Sequence, residues 1–191
     1  MGSLDLYLAR HGETEWSKSG RHTGRTDLPL LPEGEARAAQ LRPRLQGIRF
    51  HRVYTSPLVR ARRTAELAGF PDATPDDLLL EYDYGEYEGL TSAQIHESRP
   101  GWELYRDGCP GGETPSQVYE RARRFIAEAE RDQGAVLAFA HGHILRAIGA
   151  AFLEQPVVFA ARLWLDTAAL SFVQDGAKGR IVGFWNLAPG Q

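Results

Sequence analysis

The chain has 191 residues, 42% of them hydrophobic, with a formal net charge of −3. That length suffices to bury roughly 70% of the unfolded chain's surface in one core, so a single domain over 1–191 is expected. The near-neutral balance, with no long block of one sign, excludes a nucleic-acid footprint and an acidic tail.

In chain order, "MGSLDLYLA" has neither the basic n-region nor the apolar length of a signal peptide. No run of 18 apolar residues follows, so a cytoplasmic protein with no membrane partner is expected. Residues 4–9 read as a buried strand that runs straight into Arg10, His11, Gly12 and Glu13. A helical period covers 32–46, a second strand 52–55, and a second helix 57–68, with Ser56 read as its N-cap and Pro57 at its first position. "LLLEYDYGEYEGL" then ends an apolar run at Glu81 and carries Asp83, Glu86 and Glu88 among tyrosines. The irregular stretch 90–112 reads as a helix-containing lid or insertion over one sheet end. Its Cys109, the only cysteine, has no second thiol for a disulfide or a metal motif. "TPSQ" opens a helix over 115–131 from Thr114, a third strand covers 135–140, and a helix follows at 143–152. "ALSFVQD" and "GRIVGFWN" close the pattern as an antiparallel hairpin, whose edge is a surface for a homodimer. Strands that alternate with helices in this way predict an α/β three-layer sandwich: a mostly parallel central sheet with helices on both faces.

The small internal echo carries the chemistry. "LARHG" and "FAHG" each end a buried strand in His-Gly, and the carboxyl ends of parallel strands share the edge where ligands bind. His11 and His141 therefore face one crevice. A glycine after each histidine permits a sharp turn and a close main-chain approach to a ligand. Gly142 and His143 open a helix whose N-terminus favours an anion. Arg10, and Arg60 in the first turn of its helix, supply two guanidinium forks suited to phosphoryl oxygens. Only Lys18 and Lys178 are lysines, so a lone Arg is weak evidence and the constellation is what counts. Beside a phosphate dianion a carboxyl group keeps its proton, and Glu81, next to the apolar run, is the best-placed general acid.

The rival is a metal site. His11, His141, His143 and the carboxylates are chemically competent Zn²⁺ or Mn²⁺ ligands, but Arg10 beside His11 disfavours a cation, so no metal is expected. His51 reads as a surface residue and His96 as part of a lid helix. The tryptophans 16, 102, 164 and 185 read as packing, with Trp16 and Trp102 as the two that reach the crevice.

"RHGETEW", "GRHTGRTDLPLLPEGEARA", "VYTSPLVRARRTA", "EYDYGEYEGL" and "FAHGHILRAI" occur in an order that resembles the histidine phosphatase superfamily, also called phosphoglycerate mutase-like, from about residue 4 to 151. The resemblance is strongest to the branch with fungal sedoheptulose-1,7-bisphosphatase and bacterial acid phosphatases. It implies that His11 becomes phosphorylated and is then hydrolysed, that Arg10, Arg60 and His141 surround the phosphoryl group, that Glu81 donates the proton, and that no cofactor is needed. It also implies substrate contacts at Gly12, Glu13, Ser17, Thr23, Gly24, Tyr84, Gly142 and His143. Ser17 departs from the usual Asn of the family and alters one phosphate hydrogen bond. Arg21, His22 and Arg25 follow the nucleophile and are candidates for reading a second phosphate or a sugar hydroxyl.

Cofactor-dependent mutases of the family carry a longer, more basic segment after the general acid. Here 90–112 offers only Arg99 and Arg106, and "NLAPGQ" is no basic closing tail, so hydrolysis of small phosphate esters, sugar phosphates or bisphosphates, is expected ahead of mutase activity. A catalytically inactive phosphate-binding module on the same fold is the alternative from another class. The retained His11, Arg60, Glu81 and His141 argue against it.

Overall fold

The computed structural model describes residues 3–189. The chain builds β1 (Leu4–Arg10), α1 (Glu15–Lys18), α2 (Pro32–Ala39), α3 (Leu41–Leu45), β2 (Arg52–Thr55), α4 (Val59–Leu67) and β3 (Thr74–Pro75). It continues with α5 (Ser92–Ser98), α6 (Leu104–Asp107), α7 (Pro115–Asp132), β4 (Gly134–Ala140), α8 (Gly142–Phe152), β5 (Leu170–Gly176) and β6 (Gly179–Leu187). The sheet order is β3-β2-β4-β1-β5-β6. Its first four strands are mutually parallel, and β5 and β6 add the predicted antiparallel hairpin.

Strand periodicity divides the core between two faces. Leu4, Leu6 and Leu8 of β1 and Val136, Ala138 and Ala140 of β4 pack under α7 and α8. The alternate residues Ala9, Leu137 and Phe139 meet Leu41 and Leu45 of α3 and Ala65 of α4. The mostly parallel three-layer architecture is thus the one expected. In α7 Thr114 caps the helix and Pro115 opens it, with Gln117 completing a capping box.

Two boundaries differ from expectation. The helix read over 32–46 breaks at Gln40, because Pro43 lacks an N–H and its ring crowds the carbonyl four residues back. The helix read from 57 begins at Val59, with Leu58 extended at the cap position. Ser56 does not cap it: its hydroxyl lies 2.7 Å from His141 Nε2 and only 3.4 Å from the Leu58 nitrogen. Asp27, distant in sequence, takes the Val59 N–H at 2.8 Å instead.

The stretch 90–112 contains α5 and α6, and its Ile95, Trp102 and Tyr105 are buried in the same cluster as α7 and α8. Among the described residues no helix is long and apolar enough to cross a membrane.

Candidate active site

The β1–β4 register pairs Arg10 with Ala140, so the next residues, His11 and His141, leave the sheet side by side. Their ring centroids are 5.1 Å apart. The His11 N–H donates to the Ala140 carbonyl and the His11 carbonyl accepts from Ala168, which fixes the backbone on both sides.

The His11 side chain is buried, and its Nδ1 lies 2.7 Å from the Gly12 carbonyl oxygen. A carbonyl only accepts, so Nδ1 carries the proton and the Nε2 lone pair is free. Burial, and then the charges of Arg60 and Arg10, push the imidazole pKa well below its ordinary value. The ring is therefore neutral at neutral pH, as a nucleophile requires.

His141 has the opposite tautomer. Arg60 Nε donates to its Nδ1 at 3.0 Å, so its one N–H is on Nε2 and points to Ser56 Oγ. Burial, followed by Arg60, also holds this ring neutral. Arg60 itself is fully buried, and its remaining bonds run to the carbonyls of Thr23, Gly24 and Thr26 at 2.9 to 3.1 Å. Four of its five N–H groups are thus committed, so it does not present the open bidentate fork expected of it. It locks the 23–26 loop and His141 in place. Arg10, by contrast, reaches the cleft, with Nη1 on the Leu165 carbonyl at 2.5 Å and a buried Nε that has no protein partner.

The anion at the α8 N-terminus is Glu81 rather than an open phosphate position. Its Oε1 accepts from Tyr82 and Ile144, at 2.9 and 2.8 Å, and its Oε2 accepts from His143 N–H at 3.0 Å. A carboxylate there complements the helix dipole and satisfies its free N–H groups. His143 Nδ1 stands 3.8 Å from Oε2 and 2.5 Å from the Tyr84 hydroxyl. Burial raises the Tyr84 pKa well above the ordinary phenol range and lowers that of His143 well below 6.5, so the phenol donates to a neutral ring.

The glycines after the histidines serve differently than predicted. Neither Gly12 nor Gly142 has a positive φ. A Cβ on Gly12 would sit 2.4 Å from the Gly34 carbonyl oxygen, and one on Gly142 would sit 3.3 Å from Arg10 Nε. The Gly12 N–H is taken by Thr64 Oγ1, so it is not aimed at a ligand.

Glu13, Ser17, Arg21, His22 and Thr23 line the same cleft of about 490 Å³ as His11, Glu81, Tyr84, Gly142 and His143. Ser17 forms the α1 capping box with Thr14, which occupies its hydroxyl. Gly24 is held by Glu88, and Arg25 turns outward to Asp83 at 3.7 Å, so neither lines the cleft; nor do Gly12, Arg60 and His141, the last two fully buried, so His141 does not face the crevice as expected. Trp102 is buried with its N–H on the Gly108 carbonyl, and Trp16 packs on Gly89; the tryptophan in the cleft is Trp164. Trp164, Asp166, Thr167, Arg37 and Arg146 are cleft residues that sequence reasoning missed. Trp164, Asp166 and Thr167 come from a stretch without a motif, whereas Arg37 and Arg146 lie within "GRHTGRTDLPLLPEGEARA" and "FAHGHILRAI" but were not singled out among the many arginines. Among the described residues no three His, Cys, Asp or Glu side chains converge as a metal site.

A model of the histidine phosphatase superfamily (branch 1) matches residues 6–188. An acid phosphatase of Mycobacterium tuberculosis is 41% identical over 170 residues, 86% of this chain and 83% of the relative. Sedoheptulose 1,7-bisphosphatase of Saccharomyces cerevisiae is 37% identical over 174 residues, 73% of this chain and 64% of the relative. A probable phosphoglycerate mutase, GpmB, of Salmonella choleraesuis is 32% identical over 193 residues, 95% of this chain and 90% of the relative. The solved structure of an open reading frame product from Mycobacterium tuberculosis superposes with a TM-score of 0.93 at 36% identity, covering 97% of this chain and 98% of that one.

Proposed function

The chain belongs to the histidine phosphatase superfamily, branch 1, and we propose that it hydrolyses small phosphate esters, sugar phosphates or bisphosphates, through a phosphohistidine at His11 and without a metal or organic cofactor. The class, a phosphoric monoester hydrolase, follows from the family and its phosphatase relatives. The observation that carries the mechanism is the His11 tautomer: Nδ1–H tied to Gly12 and a free lone pair on Nε2 of a neutral ring.

In this reading Glu81 takes up a proton when the phosphate dianion binds beside it; Nε2 then attacks phosphorus as the bond to the leaving alcohol breaks, and Glu81 passes that proton to the departing oxygen. Oε1 of Glu81 already accepts two N–H bonds whereas Oε2 accepts one, so Oε2 is the oxygen with room for that proton. Water then attacks the phosphohistidine and returns a proton to Glu81, the P–N bond breaks, and inorganic phosphate leaves. Arg10 supplies fixed positive charge to the phosphoryl oxygens, and His141, 5.1 Å from His11 between ring centroids, is the neighbouring donor ring, its Nε2–H held on Ser56.

Hydrolysis is favoured over mutase activity by the fate of Arg99 and Arg106. Both are drawn into surface pairs with Asp107, at 3.9 and 2.7 Å, and neither lines the cleft. A substrate panel in excess EDTA tests the reading. Phosphate release should continue undiminished, and an acid-labile phosphoprotein should be trapped on rapid quenching. His11→Ala should abolish both. Turnover that survives in His11→Ala, or that disappears on chelation, overturns the mechanism.

A further inference from the structure

Trp164 is 67% exposed, which is unusual for the largest apolar side chain, and it is not mobile decoration. Its Nε1–H donates to Asp166 Oδ1 at 2.9 Å, and its carbonyl accepts from Trp185 Nε1 at 2.7 Å. Asp166 is clamped in turn by Asn186, whose Oδ1 takes the Asp166 N–H at 2.7 Å and whose Nδ2 donates to Asp166 Oδ2 at 2.9 Å. The corner includes two non-glycine residues in the left-handed region, Ala168 at φ 56° and Asn186 at φ 60°. Asparagine enters that region readily but alanine rarely, so Ala168 is the position its surroundings impose, and such positions gather at ligand clamps.

The corner is also stitched to the nucleophile strand. Arg10 N–H donates to the Ala169 carbonyl, Ala168 N–H to the His11 carbonyl, and Arg10 Nη1 to the Leu165 carbonyl. The indole is thereby held in register with the phosphoryl-transfer site, whose cleft it lines.

We propose that Trp164 is a preformed stacking platform for the leaving group, selecting phosphate esters whose alcohol carries a ring over open-chain ones. This rests on the cleft being a phosphate-ester site. A flat indole held by hydrogen bonds at its edge offers its face at little entropic cost, and a sugar or aryl ring covers that face where a flexible chain does not.

The test separates binding from turnover. His11→Ala protein is titrated with phenyl phosphate, glucose 6-phosphate and glycerol 3-phosphate, with and without Trp164→Ala. Trp164→Ala should weaken phenyl phosphate and glucose 6-phosphate about tenfold and glycerol 3-phosphate less than twofold, while Trp164→Phe retains most of the binding. Equal loss for all three ligands, no loss for any, or no binding at millimolar concentration overturns the platform. Kinetics with His11 intact separates the two ideas. Turnover of all three esters in unchanged ratio by Trp164→Ala sinks the platform alone, whereas ring-selective binding without turnover of any ester sinks only the hydrolase reading.

Discussion

Glu81 joins two tasks in one carboxylate: it caps α8 through the N–H groups of His143 and Ile144, and it faces the cleft beside His11. The two tasks separate in Glu81→Gln. The amide keeps one acceptor but places an NH₂ group against a helix N–H, so stability should fall by about 1–2 kcal/mol, the scale of a lost cap or an unsatisfied donor. The amide also has no proton to give. For alkyl phosphates, whose alkoxide leaves poorly, kcat/KM should drop about 10²–10⁴-fold, the usual contribution of general acid catalysis, and for activated aryl phosphates far less. The check is a plot of log kcat/KM against leaving-group pKa, which should steepen in the variant. Parallel lines for the two proteins would remove Glu81 from proton donation while leaving its capping role intact.

The His11 turn depends on an element that lies outside the cleft's proposed chemistry. Helix α2 sets Gly34 directly on it: a Cβ on Gly34 would lie 2.2 Å from the Glu13 carbonyl oxygen and 2.7 Å from the Glu13 nitrogen. In an exposed helix Gly→Ala gains about 1 kcal/mol. Here the clash is with backbone, so Gly34→Ala should cost about 1–3 kcal/mol, the range for overpacking, and lower kcat by shifting the His11 turn. Urea unfolding and steady-state kinetics on the same preparation decide it, and a stabilised variant with unchanged kcat would refute the packing argument. This contact shows what sequence conceals at the scale of elements. The Thr114–Pro115 start of α7 was readable because the cap and its donors lie within four residues, whereas the helix read over 32–46 passed over Pro43, whose signal is equally local. Gly12 was noticed for the wrong reason, since the backbone that excludes a side chain there is 22 positions away. Ser56 looked like a cap because neither of its competitors, Asp27 on Val59 and His141 on its own hydroxyl, is local.

For the whole molecule, the order of strands and helices was enough to place His11, His141 and the start of α4 along one sheet edge, because parallel topology alone aligns the strand ends. The far wall of the cleft was not readable: Trp164, Asp166 and Thr167 arrive from a corner held by Asn186 of β6 and by long-range bonds to Arg10 and His11, none of them local in sequence. Burying the site has a consequence for acid stability. His11, His22, His141 and His143 all have lowered pKa values, with burial the first cause in each. The unfolded chain protonates these rings near 6.5 whereas the folded one does so only at lower pH. Below about 6.5 the unfolded state therefore binds more protons. Stability is fully present above that value and is lost as pH falls through it, by about 1.4 kcal/mol per pH unit for each ring that stays neutral. The same depression keeps the His11 ring neutral in that range, so if His11 is the nucleophile proposed above, catalysis and stability should part company. Between pH 7.5 and 5.5 the urea midpoint should fall steadily, while kcat/KM shows no tenfold-per-unit decline attributable to the nucleophile. A midpoint that holds level across the interval, or a kcat/KM that collapses from pH 6.5 downward, would mean that these histidines are charged in the folded protein and that the neutral-imidazole site is wrong.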